Sequence, residues 1–172
     1  GLAILDNDGQ DRQDRDEGAL ETRYWRRYEP ENYFITPELL RSYALAQYPA
    51  DDPSSKQRKD TVEEVLAETL RDNIFAGSQA DYAIWVASPA DAARLIWEAR
   101  TERCKLSAVA EAFFRQLAQK LGEAMLLTKG ELHRLIPHAQ LTSVAEAEIR
   151  EKLDLLHQLF ERAQQYSETA SR

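Results

Sequence analysis

The chain begins on Leu2-Ala3-Ile4-Leu5, an apolar run of strand length, and passes without a break into Asp6-Asn7-Asp8-Gly9. Consecutive apolar residues do not alternate between a wet and a dry face, so both faces of such a strand seek cover, as in a parallel sheet flanked by helices. No leader or cap precedes the run. The expectation is a chain that starts inside a domain, with residues 2–5 exposed along a sheet edge or pairing with a borrowed neighbour.

Helical punctuation governs most of the remaining chain. Thr36-Pro37-Glu38 combines a hydroxyl cap, a proline at the first helical position and an acid at the positive end of the dipole, and predicts a helix to about Gln47, before Pro49. Residues 50–59 read as a polar loop containing Pro53. Thr61-Val62-Glu63-Glu64 has capping-box spacing, and Val62, Val65, Leu66, Leu70 and Ile74 recur at helical intervals up to a stop at Gly77. Ser88-Pro89-Ala90-Asp91 opens another helix, while residues 82–87 suit a helix or a strand.

A further helix is expected over residues 107–121, with Val109, Phe113, Phe114 and Leu117 inside and Gly122 as its stop. Residues 124–127 read as a second buried strand. Thr128-Lys129-Gly130-Glu131 repeats the capping-box spacing and opens a helix that Pro137 interrupts. Ser143 starts a long terminal helix to about Gln165, with Ile149, Leu153, Leu156 and Phe160 on one face. The predicted class is α/β and helix-rich: a small, mainly parallel sheet flanked by helices. Residues 1–48 and 122–140 form its core, 49–121 a helical insert and 141–172 the carboxy-terminal helix.

Several function classes drop out. No apolar run is long enough to span a bilayer. The single cysteine, Cys104, has no internal partner, which makes a reducing cytoplasm the expected compartment. No Gly-rich phosphate loop is present, so these residues alone do not hydrolyse ATP. His133, His138 and His157 lack metal-ligand spacing. A net charge of −8 argues against a simple electrostatic grip on nucleic acid.

Three elements are suited to chemistry. On extended backbone Asp6 and Asp8 project to the same side, at the carboxyl end of a strand, where open α/β sheets place ligands. Oxygen pairs of this kind attract Mg²⁺ or Mn²⁺; a solvated acidic turn is the plain alternative. An EF-hand is excluded because Asp11 stands where its loop requires glycine. The second element is Tyr24-Trp25-Arg26-Arg27-Tyr28-Glu29-Pro30-Glu31-Asn32-Tyr33-Phe34, which continues an expected strand over residues 20–28. Pro30 bends its end, so Glu29 and Glu31 are placed to complete a metal site beside two arginines, or else form surface ion pairs. The third is Lys129, a cation in a first helical turn. There it opposes the dipole, and backbone N–H groups favour an anion.

Together these elements resemble the Toprim domain of OLD-family ATP-dependent endonucleases. The resemblance runs from Leu2 to about Ile136 and rests on the hydrophobic strand with Asp6-x-Asp8, on Glu31-Asn32-Tyr33-Phe34 ahead of Thr36-Pro37-Glu38-Leu39-Leu40, and on Leu127-Thr128-Lys129-Gly130. It implies two-metal hydrolysis of DNA with Mg²⁺ or Mn²⁺ held by Asp6, Asp8 and Glu31, and with Lys129 and Glu31 as the catalytic residues. An upstream ATPase domain in the same chain and a homodimer are implied as partners. Toprim domains also carry a glutamate on a strand upstream of the paired aspartates. This sequence starts after that point, so an incomplete metal site is expected. A competing reading is a non-catalytic helical interaction or regulatory module; a third is a phosphatase acting on nucleotides with the same acids.

Overall fold

The caps at Thr36 and Thr128 and the stop at Gly122 find their counterparts in the structure, a computed structural model that describes residues 2–8, 10, 12–18, 20–48 and 54–170. Gly9, Asp11, Pro49 and Pro53 lie outside the described residues. The element order is β1 (Leu2–Leu5), β2 (Arg15–Glu17), β3 (Leu20–Tyr24), a 3-10 turn (Pro30–Tyr33), α1 (Pro37–Ala46), α2 (Ser55–Asn73), α3 (Gln79–Ala87), α4 (Ala90–Thr101), α5 (Leu106–Leu121), a 3-10 segment (Lys129–His138) and α6 (Ser143–Ala170). The fold is α/β and dominated by helix, as the punctuation predicts. None of its described helices is long and apolar enough to cross a membrane.

The sheet has the order β1-β3-β2. β1 runs parallel to β3, with Leu2 opposite Glu21 and Leu5 opposite Tyr24, and β2 returns antiparallel to β3. The polar sequence of β2 suggests a loop. Its residues are exposed, yet Gly18 at φ +62° supplies the positive φ of the tight turn that folds β2 onto β3. β1 occupies an edge, as expected, but it is only half-buried and Leu5 is 43% exposed. An edge strand with helix against it in one place cannot cover both faces.

Residues 124–127 are not a strand. Leu127 is fully buried there, but on irregular backbone between α5 and the 3-10 segment. The apolar run is explained by burial of one side chain under the core, without any ladder pairing. Residues 82–87 resolve as helix, within α3. α2 starts at Ser55, ahead of the Thr61 signal, and Thr61 bonds back to the Gln57 carbonyl inside the helix.

A single hydrophobic core joins α1, α2, α4, α5 and the 3-10 segment. α5 contributes its densest part: Leu106, Phe113, Phe114 and Leu117 are essentially inaccessible, each worth about 1.5–3 kcal/mol on removal from water. α5 ends on Gly122 in the left-handed conformation, φ +67°, where a side chain is strained. α1 is capped as predicted, the Thr36 hydroxyl accepting from the Leu39 N–H at 3.2 Å.

α6 differs from its predicted face. The buried stripe is Ala145, Glu148 and Lys152, whereas Leu153 and Phe160 are 58% and 67% exposed. Glu148 bonds to the Arg26 N–H and the Tyr33 hydroxyl of the bend after β3, so that side of the helix, not the apolar stripe, is turned to the body.

Candidate functional site

The carboxyl end of β1 runs beside the bend that follows β3. The Trp25 N–H donates to the Leu5 carbonyl at 3.0 Å, the Asn7 amide to the Arg26 carbonyl at 2.8 Å, and the Asp8 N–H to the Tyr28 carbonyl at 3.3 Å. Residues 6–8 are thereby fastened to residues 25–28, directly ahead of Glu29 and Glu31. Asp6 is exposed just past the strand, and Asn7, on the opposite side, is buried.

Asp8 departs from the expected parallel pair of carboxylates. Its φ is +52°, a left-handed conformation that aspartate tolerates, so strand alternation does not persist to this residue. Its carboxylate pairs with Arg12 at 3.4 Å in an exposed contact. Among the described residues no three His, Cys, Asp or Glu side chains are grouped so as to hold a metal ion.

Glu29 and Glu31 also separate, because Pro30 begins a 3-10 turn instead of continuing an extended end. Glu29 turns inward, 3% exposed, and its two oxygens accept from the Ser107 N–H at 2.5 Å and the Ser107 hydroxyl at 2.9 Å. It caps α5, whose own cap position, Lys105, supplies no side-chain acceptor. Glu31 remains half-buried. Burial raises its pKa above the usual carboxylate value; its own backbone N–H opposes that shift, Glu29 and Asp6 add to it, and Lys129 draws it back. Asp6 and Lys129, both remote in sequence, therefore each lie within electrostatic reach of Glu31.

Lys129 is exposed at the first position of the 3-10 segment. The expected cap is present: Thr128 donates its N–H to the Glu131 carboxylate at 2.9 Å and its hydroxyl to the same oxygen at 2.7 Å. These bonds hold the Glu131 carboxyl below its usual pKa, the backbone N–H contributing most. An acid of the chain itself thus uses one of the donors at this terminus. What an incoming anion meets is the Lys129 ammonium.

The arginines next to the acids are engaged in structure. Arg26 donates its N–H to Glu148 at 2.8 Å and its guanidinium to Glu151 at 2.8 Å, while Arg27 reaches the Asn32 carbonyl at 2.6 Å and lies over the Tyr33 ring. Asn32 is buried and donates to the carbonyls of Thr101 and Cys104 at 2.9 Å each. Among the described residues its Oδ1 has no hydrogen-bond partner. His133, His138 and His157 contact the Gly130 carbonyl, the Tyr43 ring and Glu161 respectively, away from the acids.

Glu148, Lys152 and Ser107 escape notice in the sequence. The first two share an i, i+3, i+7 stripe with Ala145, a spacing visible in the chain but obscured by their charge. The chain matches no family model, no curated protein and no solved structure.

Proposed function

We propose that this chain is the carboxy-terminal part of a Toprim-type, metal-dependent endonuclease of the OLD kind, acting on DNA. The observation that supports this assignment is that Asp6, just past the carboxyl end of β1, and Lys129 both act electrostatically on the half-buried Glu31. Carboxylates that repel one another are a poor arrangement for stability and a good one for a divalent cation. Mg²⁺ commonly takes only one or two carboxylates from a protein, the rest of its shell being water and substrate phosphate. Asp6 and Glu31 fit that requirement, with Asp8 joining them on release from Arg12.

When bound, the cation supplies Lewis acidity and an activated water. Within this chain, Asp6 and Glu31 set the charge of the site, and Glu29, by capping α5, positions Glu31 two residues on. Lys129 provides the positive charge that meets charge developing on a phosphate. An ATPase domain in the same polypeptide, a homodimer and a cytoplasmic setting go with this assignment. With a net charge of −8 on this chain, the grip on DNA belongs to the other parts of the assembly.

A second reading, a helical interaction module, is favoured by the outward-facing Leu153 and Phe160 of α6. Titration calorimetry with Mn²⁺ and Mg²⁺ separates the two. Wild-type protein is expected to bind the ion weakly, and Asp6→Ala combined with Asp8→Ala to abolish the heat. Equal heats from both proteins remove the metal site and leave the module.

A further inference from the structure

The buried Asn7, between Asp6 and Asp8, lines a half-enclosed cavity of about 610 Å³, which none of Asp6, Asp8, Glu31 or Lys129 lines. Its size falls within the range of about 300–1,000 Å³ found for sites of small organic ligands, and far exceeds what a bare ion needs. Four cations line it, Arg12, Arg26, Arg103 and Lys152. That is a local excess in a chain whose net charge is −8.

Lys152 is the most informative of them. It is 3% exposed, and its only ion-pair partner among the described residues is the neighbouring Glu151, at 3.5 Å. The same carboxylate is bound more closely by Arg26, at 2.8 Å. One acid is therefore shared by two cations, and a buried ammonium without full compensation is costly. Arg103 has no ion pair among the described residues, and the one ion pair of Arg12 there is with the exposed Asp8 at 3.4 Å, beside a bond to Gln10 and a place over the Tyr24 ring. Of the two remaining wall acids, Asp14 accepts from the Tyr24 N–H at 2.9 Å and pairs at 3.9 Å with Arg23, which does not line the cavity; Glu102 is the other. Four cations thus face three acids, Asp14, Glu102 and Glu151, an excess of one positive charge that favours an anion.

The other part of the wall is aromatic: Tyr24 and Trp25 line the same space. A planar ring packs on such a surface while an attached phosphate reaches the cations.

We propose that this cavity binds a free mononucleotide, its phosphate held by Lys152 and Arg103 and its base lying against Trp25. A half-enclosed space of this volume accommodates one nucleotide, and an acidic chain offers no track for a longer polyanion. The site shares no lining residue with the proposed nuclease centre, and the pair of Arg12 with Asp8 links the two.

The test is titration calorimetry of the whole chain with AMP, adenosine, inorganic phosphate and a 5′-phosphorylated oligonucleotide, alongside Trp25 fluorescence. AMP is expected to bind saturably, with adenosine and phosphate each at least about tenfold weaker. Lys152→Gln is expected to weaken AMP about tenfold, and Arg103→Gln, at an exposed position that leaves the fold intact, about fivefold or more. Trp25→Phe should abolish the fluorescence change while Trp85 and Trp97 remain. Absence of saturable AMP binding by about 10 mM overturns the proposal, as does unchanged affinity in Arg103→Gln. An oligonucleotide that binds more tightly than AMP overturns the assignment to a free nucleotide, and inorganic phosphate binding as tightly as AMP overturns the role of the base.

Discussion

The Tyr33 hydroxyl donates to Oε2 of Glu148 at 2.5 Å, and this bond, made across 115 residues of sequence, fastens α6 to the 3-10 turn that carries Glu31. Glu148 is 2% exposed, and its other oxygen accepts from the Arg26 N–H. Tyr33 in turn accepts from the Arg27 N–H at 3.1 Å. Backbone and side chain of the bend after β3 thus converge on one buried carboxylate.

Tyr33→Phe removes the hydroxyl and leaves Oε2 of Glu148 without this partner. A hydrogen bond to a charged, buried group is worth about 1.5–3 kcal/mol, and a loss of that size is expected in urea denaturation. Native-state hydrogen exchange should quicken first in α6. Unchanged exchange there would mean the helix is held by something else.

The same pair sets an alkaline limit. Burial, then the bond to Glu148, raise the Tyr33 pKa well above the ordinary tyrosine value of 10.0. In the window above pH 10 the native state retains a proton that the unfolded chain releases. The contribution is therefore complete below about pH 10 and declines as pH rises further. Tyr33→Phe should lack this component of the decline, to be read from thermal melts at pH 9, 10 and 11.

Glu29 tests the difference between an acid that builds the site and one that serves in it. Glu29→Ala leaves the buried Ser107 N–H and hydroxyl unpaired and uncaps α5, and is expected to cost about 2–4 kcal/mol in chemical denaturation. Ser107→Ala, which keeps the N–H bond, should cost less. If Glu29→Ala melts like the wild type, the cap is not the role of this residue.

Local signals are legible in the sequence; remote ones are not. Thr36 and Thr128 act within four residues of themselves, so hydroxyl, proline and acid read as caps and form caps. Glu29 acts on Ser107, 78 residues away, and no spacing rule reports a helix capped from such a distance. Pro30 reads as a bend, but its 3-10 turn separates Glu29 from Glu31, which the i, i+2 rule places together. Asp8 fails the same rule through one positive φ. On α6, the apolar residues make the expected inner stripe, whereas Tyr33 and Arg26 select Glu148 for burial, a choice that depends on the surface the helix packs against. That Asp6 and Lys129 both act on Glu31 agrees with the motifs read in the sequence, but their spacing along the chain does not by itself bring them together.

Glu31 should report a cation directly. Its pKa lies above the usual carboxylate value, mainly through burial and then through Glu29 and Asp6, so in the window just above that usual value the native state binds more protons than the unfolded chain. Its penalty is relieved as pH falls through the raised pKa and is present in full above it, which is the reverse of a salt-bridged acid. Glu31→Gln should therefore be neutral or slightly stabilising at pH 7. A carboxyl ¹³C titration with and without Mg²⁺ is expected to show the Glu31 pKa falling when the ion is added. A titration unaffected by millimolar Mg²⁺ or Mn²⁺ counts against Glu31 as a ligand.

Lys129 gives the sharpest separation of chemistry from stability. It is exposed, and the Thr128–Glu131 cap of its segment is made without its side chain, so Lys129→Ala should change folding free energy by no more than about 0.5 kcal/mol. Its ammonium is the positive charge that opposes the acids acting on Glu31, and in the proposed function it meets the substrate phosphate. Loss of one stabiliser of developing charge commonly lowers a rate by about a hundredfold or more, the reduction expected for Lys129→Ala in metal-dependent DNA cleavage by the intact protein. Lys129→Arg keeps the charge and should recover part of the rate, which a purely steric role does not predict. Full cleavage activity in Lys129→Ala, or an unfolded Lys129→Ala protein, would assign this residue to the surface or to packing and remove it from the catalytic set.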